Sequence, residues 1–130
     1  MLSRLLFWCL LPVSALQGLW LRRVARRLPG AGGAREGVVG AGEPLYLLAL
    51  GDSIIDGVGI ESMVDAVPGQ FAAALAQHRS RRVHWLADGL SGRTIDDLVN
   101  RLAVIGPSIR ADIVLLSIGV NDVTGLSSKQ

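Results

Sequence analysis

Cysteine is almost missing from this 130-residue chain. Cys9 stands alone, so no internal disulfide can form, and with two histidines in all there is no Cys/His cluster of the kind a structural zinc site needs. Aromatic residues make up 5% of the chain, and none of the stacking residues of a nucleic-acid reader is interleaved with the basic excess; a pI near 9.3 therefore does not point to nucleic acid. There is no P-loop and no phosphate-binding lysine beside one. Gly57-Val58-Gly59 lacks the third glycine of a dinucleotide fingerprint and does not directly follow a strand pattern. Charged residues are only 18% against 50% apolar, which excludes a disordered polyelectrolyte and leaves enough apolar side chains for one core in a single domain of ordinary size.

The net charge of +2 divides unevenly. Six arginines and no acid occupy residues 1–35, whereas from residue 36 onward seven basic residues face eleven acidic ones, leaving −4. Leu5 to Leu21 is mostly apolar, interrupted by Pro12, Ser14, Gln17 and Gly18 and closed by Arg22, Arg23, Arg26 and Arg27. A complete span needs ~20 apolar residues, so residues 1–28 read as a membrane-seeking leader. Residues 5–27 then either anchor with the arginines on the cytoplasmic side, which leaves the domain cytoplasmic, or lie along the lipid surface with Leu, Phe and Trp inserted. Cleavage after Val13-Ser14-Ala15, followed by export, is the alternative.

Residues 29–44 hold six glycines between Pro29 and Pro44 without helical or strand periodicity, the composition of a linker. The domain is therefore expected over 45–130. Leu45–Leu50, Val83–Ala87 and Ile113–Ile118 are short continuous apolar runs suited to strands buried on both faces. Pro68–His78 carries Phe71, Leu75 and nearby alanines at helical spacing. Thr94–Ile105 opens with a capping-box pair, Thr94 and Asp97, ahead of the apolar stripe Ile95, Leu98, Val99 and Leu102. The order is βαβαβ, the start of a parallel sheet with helices on its faces.

In such sheets ligands bind beyond the carboxyl ends of the strands. Those ends carry Gly51-Asp52-Ser53-Ile54, Asp88-Gly89-Leu90-Ser91-Gly92 and Gly119-Val120-Asn121-Asp122. One hydroxyl, one side-chain amide and glycines with approachable N–H groups are parts that acyl transfer uses, a nucleophile and donors for the oxyanion. Taken singly, Ser53 is also a helix cap and Asn121 a turn residue. Asp52 is expected to order the loop around Ser53, and Asp122 to cap the next segment. The two acids at adjacent strand ends are the only arrangement that suggests Mg²⁺, and no lysine or P-loop accompanies them, so neither metal nor cofactor is expected.

GDSI at 51–54, Gly89 and GVND at 119–122, in this order and each at a strand end, resemble the first three blocks of the SGNH hydrolases, also called GDSL esterases and lipases. The resemblance runs from about Leu45 to Asp122 and implies a flavodoxin-like α/β/α sandwich. It implies Ser53 as nucleophile, with the N–H groups of Ser53 and Gly89 and the amide of Asn121 as oxyanion hole, and Gly51, Asp52, Gly119 and Asp122 as supporting loop residues. The GxSxG elbow of the α/β-hydrolases is absent. One departure is large: the family's Asp and His lie in a DxxH block near the domain's C-terminus, and no DxxH follows Asn121. His84 falls inside a strand and His78 closes a helix, so neither suits the role of base. With three parallel strands where a complete sheet has about five, the chain reads as a fragment truncated after the third strand. The expected function is hydrolysis of an ester or thioester, such as a lipid ester, lysophospholipid or short acyl ester. The alternative is a non-catalytic remnant that binds acyl groups or partners.

Overall fold

A computed structural model describes residues 2–24 and 26–124. In chain order the elements are α1 (Leu2–Val24), β1 (Glu36–Val39), β2 (Pro44–Gly51), α2 (Val67–Arg79), β3 (Arg82–Gly89), α3 (Ile95–Ile105), a single 3₁₀ turn (Gly106–Ser108), β4 (Ile113–Ser117) and α4 (Val120–Thr124). The three apolar runs do form parallel strands. β2 lies between β3 and β4, with Leu48 opposite Leu86 on one side and Val114 on the other.

The sheet has four strands, in the order β1-β3-β2-β4. The extra one, β1, comes from the stretch that reads as a linker, and pairs antiparallel with β3, Glu36 opposite Leu86 and Val39 opposite Val83. Composition hides it because its glycines serve the turns: Gly33, Gly40 and Gly42 all have left-handed φ, which only glycine adopts without strain. The strand itself ends in two β-branched valines, and its apolar content is too short to show a period.

Alternate residues of β2 enter two separate cores. Leu47 and Ala49 join Ile55, Met63, Val83, Trp85 and Ala87 beneath α2, while Leu48 and Leu50 meet Leu98 of α3 on the opposite face. The result is a helix layer, a sheet and a second helix layer. α2 buries alanines of its pattern, with Leu75 packed at the margin of the core, but not Phe71. Pro68, Gly69, Ala72 and Ala76 face the sheet and Phe71 is outward, because the helix starts so close to residues 63 and 64 that a Cβ on Gly69 would meet their backbone. On α3 only Leu98 is buried, with Leu102 and Ile105 half-buried; Ile95 and Val99 are exposed, as are Val114 and Leu116 on the same face of edge strand β4.

α3 begins where the capping box places it. Thr94 has extended backbone (φ −96, ψ 172) and its hydroxyl accepts from the Asp97 N–H at 3.3 Å, while the Asp97 carboxylate accepts from the Thr94 N–H at 2.9 Å. α1 stands apart in character, with Phe7, Trp8, Leu16, Leu19 and Trp20 all more than half exposed. Among the described residues no helix is long and apolar enough to cross a membrane.

Replacing the cap should loosen the sheet's second helix layer. Thr94→Ala is expected to lower unfolding stability by about 1 kcal/mol and Thr94→Ser by much less, measured as the shift of the urea midpoint at constant m; equal losses in both variants would mean that the hydroxyl contributes nothing.

Candidate active site

Because β3, β2 and β4 run parallel, the residues following Gly89, Gly51 and Ser117 emerge at one edge of the sheet. There the backbone ties them together. The Asp52 N–H donates to the Ser117 carbonyl at 3.0 Å, and the Leu90 N–H to the Gly51 carbonyl at 3.2 Å. Gly51 has no room for a side chain, since a Cβ there would fall on the Ser117 carbonyl.

From this point the chain winds through a set of tight turns. The Asp56 N–H returns to the Asp52 carbonyl at 2.9 Å and the Val58 N–H to the Ser53 carbonyl at 3.0 Å. Asp52 is 2% exposed, and its carboxylate accepts from the Ile54 N–H at 3.2 Å, which holds the turn closed around Ser53, the role expected of it. The Ser53 side chain is half-buried, and neither its hydroxyl nor its N–H has a partner among the described residues. It opens on a cleft of about 380 Å³ lined chiefly by Ile54, Val58, Ile60 and Val67, with Asp65 its one charged residue.

The supposed linker is what secures this loop from outside. Ala31 donates to the Asp56 carbonyl, Gly32 to that of Glu61 and Gly59 to that of Pro29, at 2.9 to 3.1 Å. Arg35 forms an ion pair with the mostly buried Asp56 carboxylate at 2.6 Å. Residues 29–35 therefore strap the Ser53 loop to the sheet.

A second charged cluster lies under the other two loops. Arg93, 7% exposed, reaches the carbonyls of Gly51 (3.4 Å) and Asp88 (2.7 Å) and the Asp88 carboxylate (2.7 Å), whose other oxygen takes Arg101 at 2.7 Å. Burial by itself raises the Asp88 pKa, but the hydrogen bonds and charges of Arg101 and Arg93 outweigh it and hold the carboxyl below its ordinary 3.8. Asn121, half-buried, donates its amide to the Arg93 carbonyl at 2.9 Å. Asp122 does not cap the segment that follows it: its carboxylate accepts from the Ile95 N–H at 3.2 Å, at the start of the earlier helix α3.

Gly89 is placed differently from its expected role. A Cβ there would overlap the backbone of Ile55 and Asp56, so the residue is glycine for packing. Its carbonyl accepts from Arg35, and two residues earlier the Ala87 N–H donates to the Arg35 carbonyl. By strand alternation the Gly89 N–H points to that same side, away from β2 and Ser53. The glycine in the loop proper is Gly92. Leu90 to Arg93 form a β-turn closed by the Arg93 N–H on the Leu90 carbonyl (3.1 Å), with Gly92 at φ +85, the third position of a type II turn. Its N–H has no partner among the described residues. The order Leu-Ser-Gly-Arg carried this turn signal; the burial of Arg93 had no sequence signal at all.

Neither histidine is at this edge. His84 stacks on Tyr46 (5.1 Å between centroids), and lies five residues before the end of β3, roughly 16 Å along the strand. His78 is exposed in the last turn of α2. The larger cavity, about 600 Å³, runs past Val38, Tyr46, His84, Leu86 and Ile109 and includes none of Ser53, Gly92 or Asn121.

Residues 49–130 match the GDSL-like lipase/acylhydrolase family. Among solved structures the fold is similar to AlinE4, an SGNH-hydrolase family esterase, at 26% identity and TM-score 0.56, covering 65% of this chain and 45% of that one. Two mutant forms of AlinE4 give the same TM-score and coverage at 26% and 25% identity. The chain thus spans less than half the length of the esterase it resembles. No curated protein matches it.

The Asp88 cluster fixes a pH dependence. The folded carboxyl titrates below the unfolded one, so its stabilisation is complete above the unfolded value of 3.8 and is lost as the pH falls through the lower folded value. In acid the wild-type chain should lose urea stability more steeply with falling pH than Asp88→Asn; parallel slopes would separate Asp88 from acid unfolding.

Proposed function

The chain belongs to the GDSL-like lipase/acylhydrolase family, and from that premise we propose that its strand-end loops form the acyl-binding side of a serine esterase. The observation that carries the reading is Ser53, held at the tip of a closed turn with its hydroxyl and N–H both unpartnered among the described residues and facing an apolar cleft. In the reaction the Ser53 Oγ bonds to the ester carbonyl carbon, and the carbonyl oxygen becomes an oxyanion. The Oγ proton goes to the departing alkoxide, leaving an acyl-serine that water hydrolyses. The Ser53 N–H and the Asn121 amide are the oxyanion donors. For the third, the Gly92 N–H takes the place of that of Gly89, which strand alternation turns away from Ser53. A cleft edged by Ile54, Val58, Ile60 and Val67 suits an apolar acyl chain.

One observation favours a weaker, binding role for this chain on its own: both histidines lie away from Ser53. A serine hydroxyl without a positioned base forgoes ~100- to 10,000-fold assistance, while oxyanion donors and binding by themselves leave ~1,000-fold acceleration over water. The same reading extends to α1. Its exposed Phe, Trp and Leu side chains, followed by Arg22, Arg23, Arg26 and Arg27 with no acid before residue 36, suit insertion along an anionic lipid surface, which would hold the cleft close to lipid esters.

Ser53→Ala should abolish both p-nitrophenyl acetate hydrolysis and labelling by a fluorophosphonate probe. Asn121→Ala, which removes a donor, should slow them by roughly 100- to 1,000-fold. Labelling with no turnover would assign the binding role, and hydrolysis untouched by Ser53→Ala would overturn the proposal. For the leader, the full chain should sediment with vesicles containing anionic lipid and far less with neutral ones. Replacing the four arginines by glutamine should remove ~1 kcal/mol of binding per charge; a chain that stays in the supernatant with both would end the membrane reading.

A further inference from the structure

We propose that Arg93 is a positioning residue that aligns the oxyanion donors, an inference that rests on the esterase reading of the same site. A buried guanidinium is costly unless its N–H groups are met by acceptors, and the acceptors here are the ends of two strands. One terminal nitrogen donates to the Gly51 carbonyl, immediately before Asp52 and Ser53, and to the Asp88 carbonyl, immediately before Gly89; the other donates to the Asp88 carboxylate. A planar fork can serve three oxygens in this way where an ammonium on a flexible stem would not hold the same directions.

The main chain of the same residue governs the remaining donors. Its N–H closes the type II turn that presents Gly92, and its carbonyl accepts from the Asn121 amide at 2.9 Å. A carbonyl can only accept, so it determines which end of the Asn121 side chain faces it. With one N–H of the amide engaged, the second has a fixed direction. Asn121 therefore does not find its orientation from α4, a helix of five residues. It takes it from a backbone group whose own position is set by a buried side chain bonded to β2 and β3. Ser53, Gly92 and Asn121 share one anchor, although they are far apart in sequence.

The full chain tests this with Arg93→Lys, which keeps the charge and loses the fork, and with Asp88→Asn, which keeps an acceptor but weakens the grip on Arg93. Arg93→Lys should lower kcat for p-nitrophenyl acetate by about 10- to 100-fold with KM unchanged, and Asp88→Asn should lower it less. Adding Arg93→Lys to Asn121→Ala should cost less than Arg93→Lys costs in the wild-type chain, because part of the arginine's effect passes through the amide. In nitrogen-labelled chain the Asn121 side-chain amide signals should move toward those of a free amide in Arg93→Lys. Additive rate losses, an unchanged kcat or an unmoved Asn121 signal in a folded variant would each overturn the proposal; should Arg93→Lys fail to fold, the same signal in Asp88→Asn decides. If Ser53→Ala leaves hydrolysis intact the esterase reading falls instead, and the amide signal still reports on Arg93.

Discussion

The parallel pairing of β2 with both of its neighbours is the constraint on which the candidate site depends. Strands that run in one direction release their following loops at one edge, so residues near 53, 92 and 121 meet there although each was specified by its own short segment. The pairing is itself enforced by burial. Leu47 to Leu50 are all nearly inaccessible, with alternate residues committed to opposite cores, and a slip of one residue would exchange the two sets. A register so strongly fixed holds the Gly51 carbonyl and the Asp52 N–H at set heights beside β3 and β4.

Strand ends create an electrostatic problem as well as a site. Carbonyls at the ends of the strands have left the ladder, and the buried ones among them are costly unless paired. Two arginines from different parts of the chain supply the donors. Arg93 takes the carbonyls of Gly51 and Asp88, and Arg35 takes that of Gly89 while neutralising Asp56 beneath the Ser53 loop. The carboxylates of Asp88 and Asp56 in turn keep these guanidinium groups from being unpaired charges. The glycines at 51 and 89 belong to the same close packing, with no space for a side chain against the Ser117 carbonyl and the backbone of residues 55 and 56.

The rest of the molecule is built more loosely around this edge. α3 covers only part of its face of the sheet, leaving Val114 and Leu116 bare on β4, and α1 exposes large apolar groups along its length. Neither feature enters the chemistry of the strand ends. Membership of the GDSL-like lipase/acylhydrolase family agrees with the loops that are present, and the histidines lie in elements whose faces and ends are already engaged elsewhere, His84 against Tyr46 and His78 in the closing turn of α2.

The sequence by itself determined what depends on neighbours in the chain. Continuous apolar runs gave the three parallel strands, Thr94 and Asp97 announced the start of α3, and the order of GDSI and GVND placed Ser53 and Asn121 at strand ends, because each of these signals is complete within a few residues. Only the tertiary structure decided matters that turn on distant contacts. β1 is too short to show a period among turn glycines and exists because β3 offers it an edge. The inward face of α2 is its small one, since the helix lies against residues 63 and 64. Gly89 packs because the backbone of residues 55 and 56 crosses it, and strand alternation, invisible in a string of letters, turns its N–H away from Ser53. Arg93 is one arginine among others until the fold buries it, and its partners at residues 51, 88 and 121 come together only when three parallel strands end side by side.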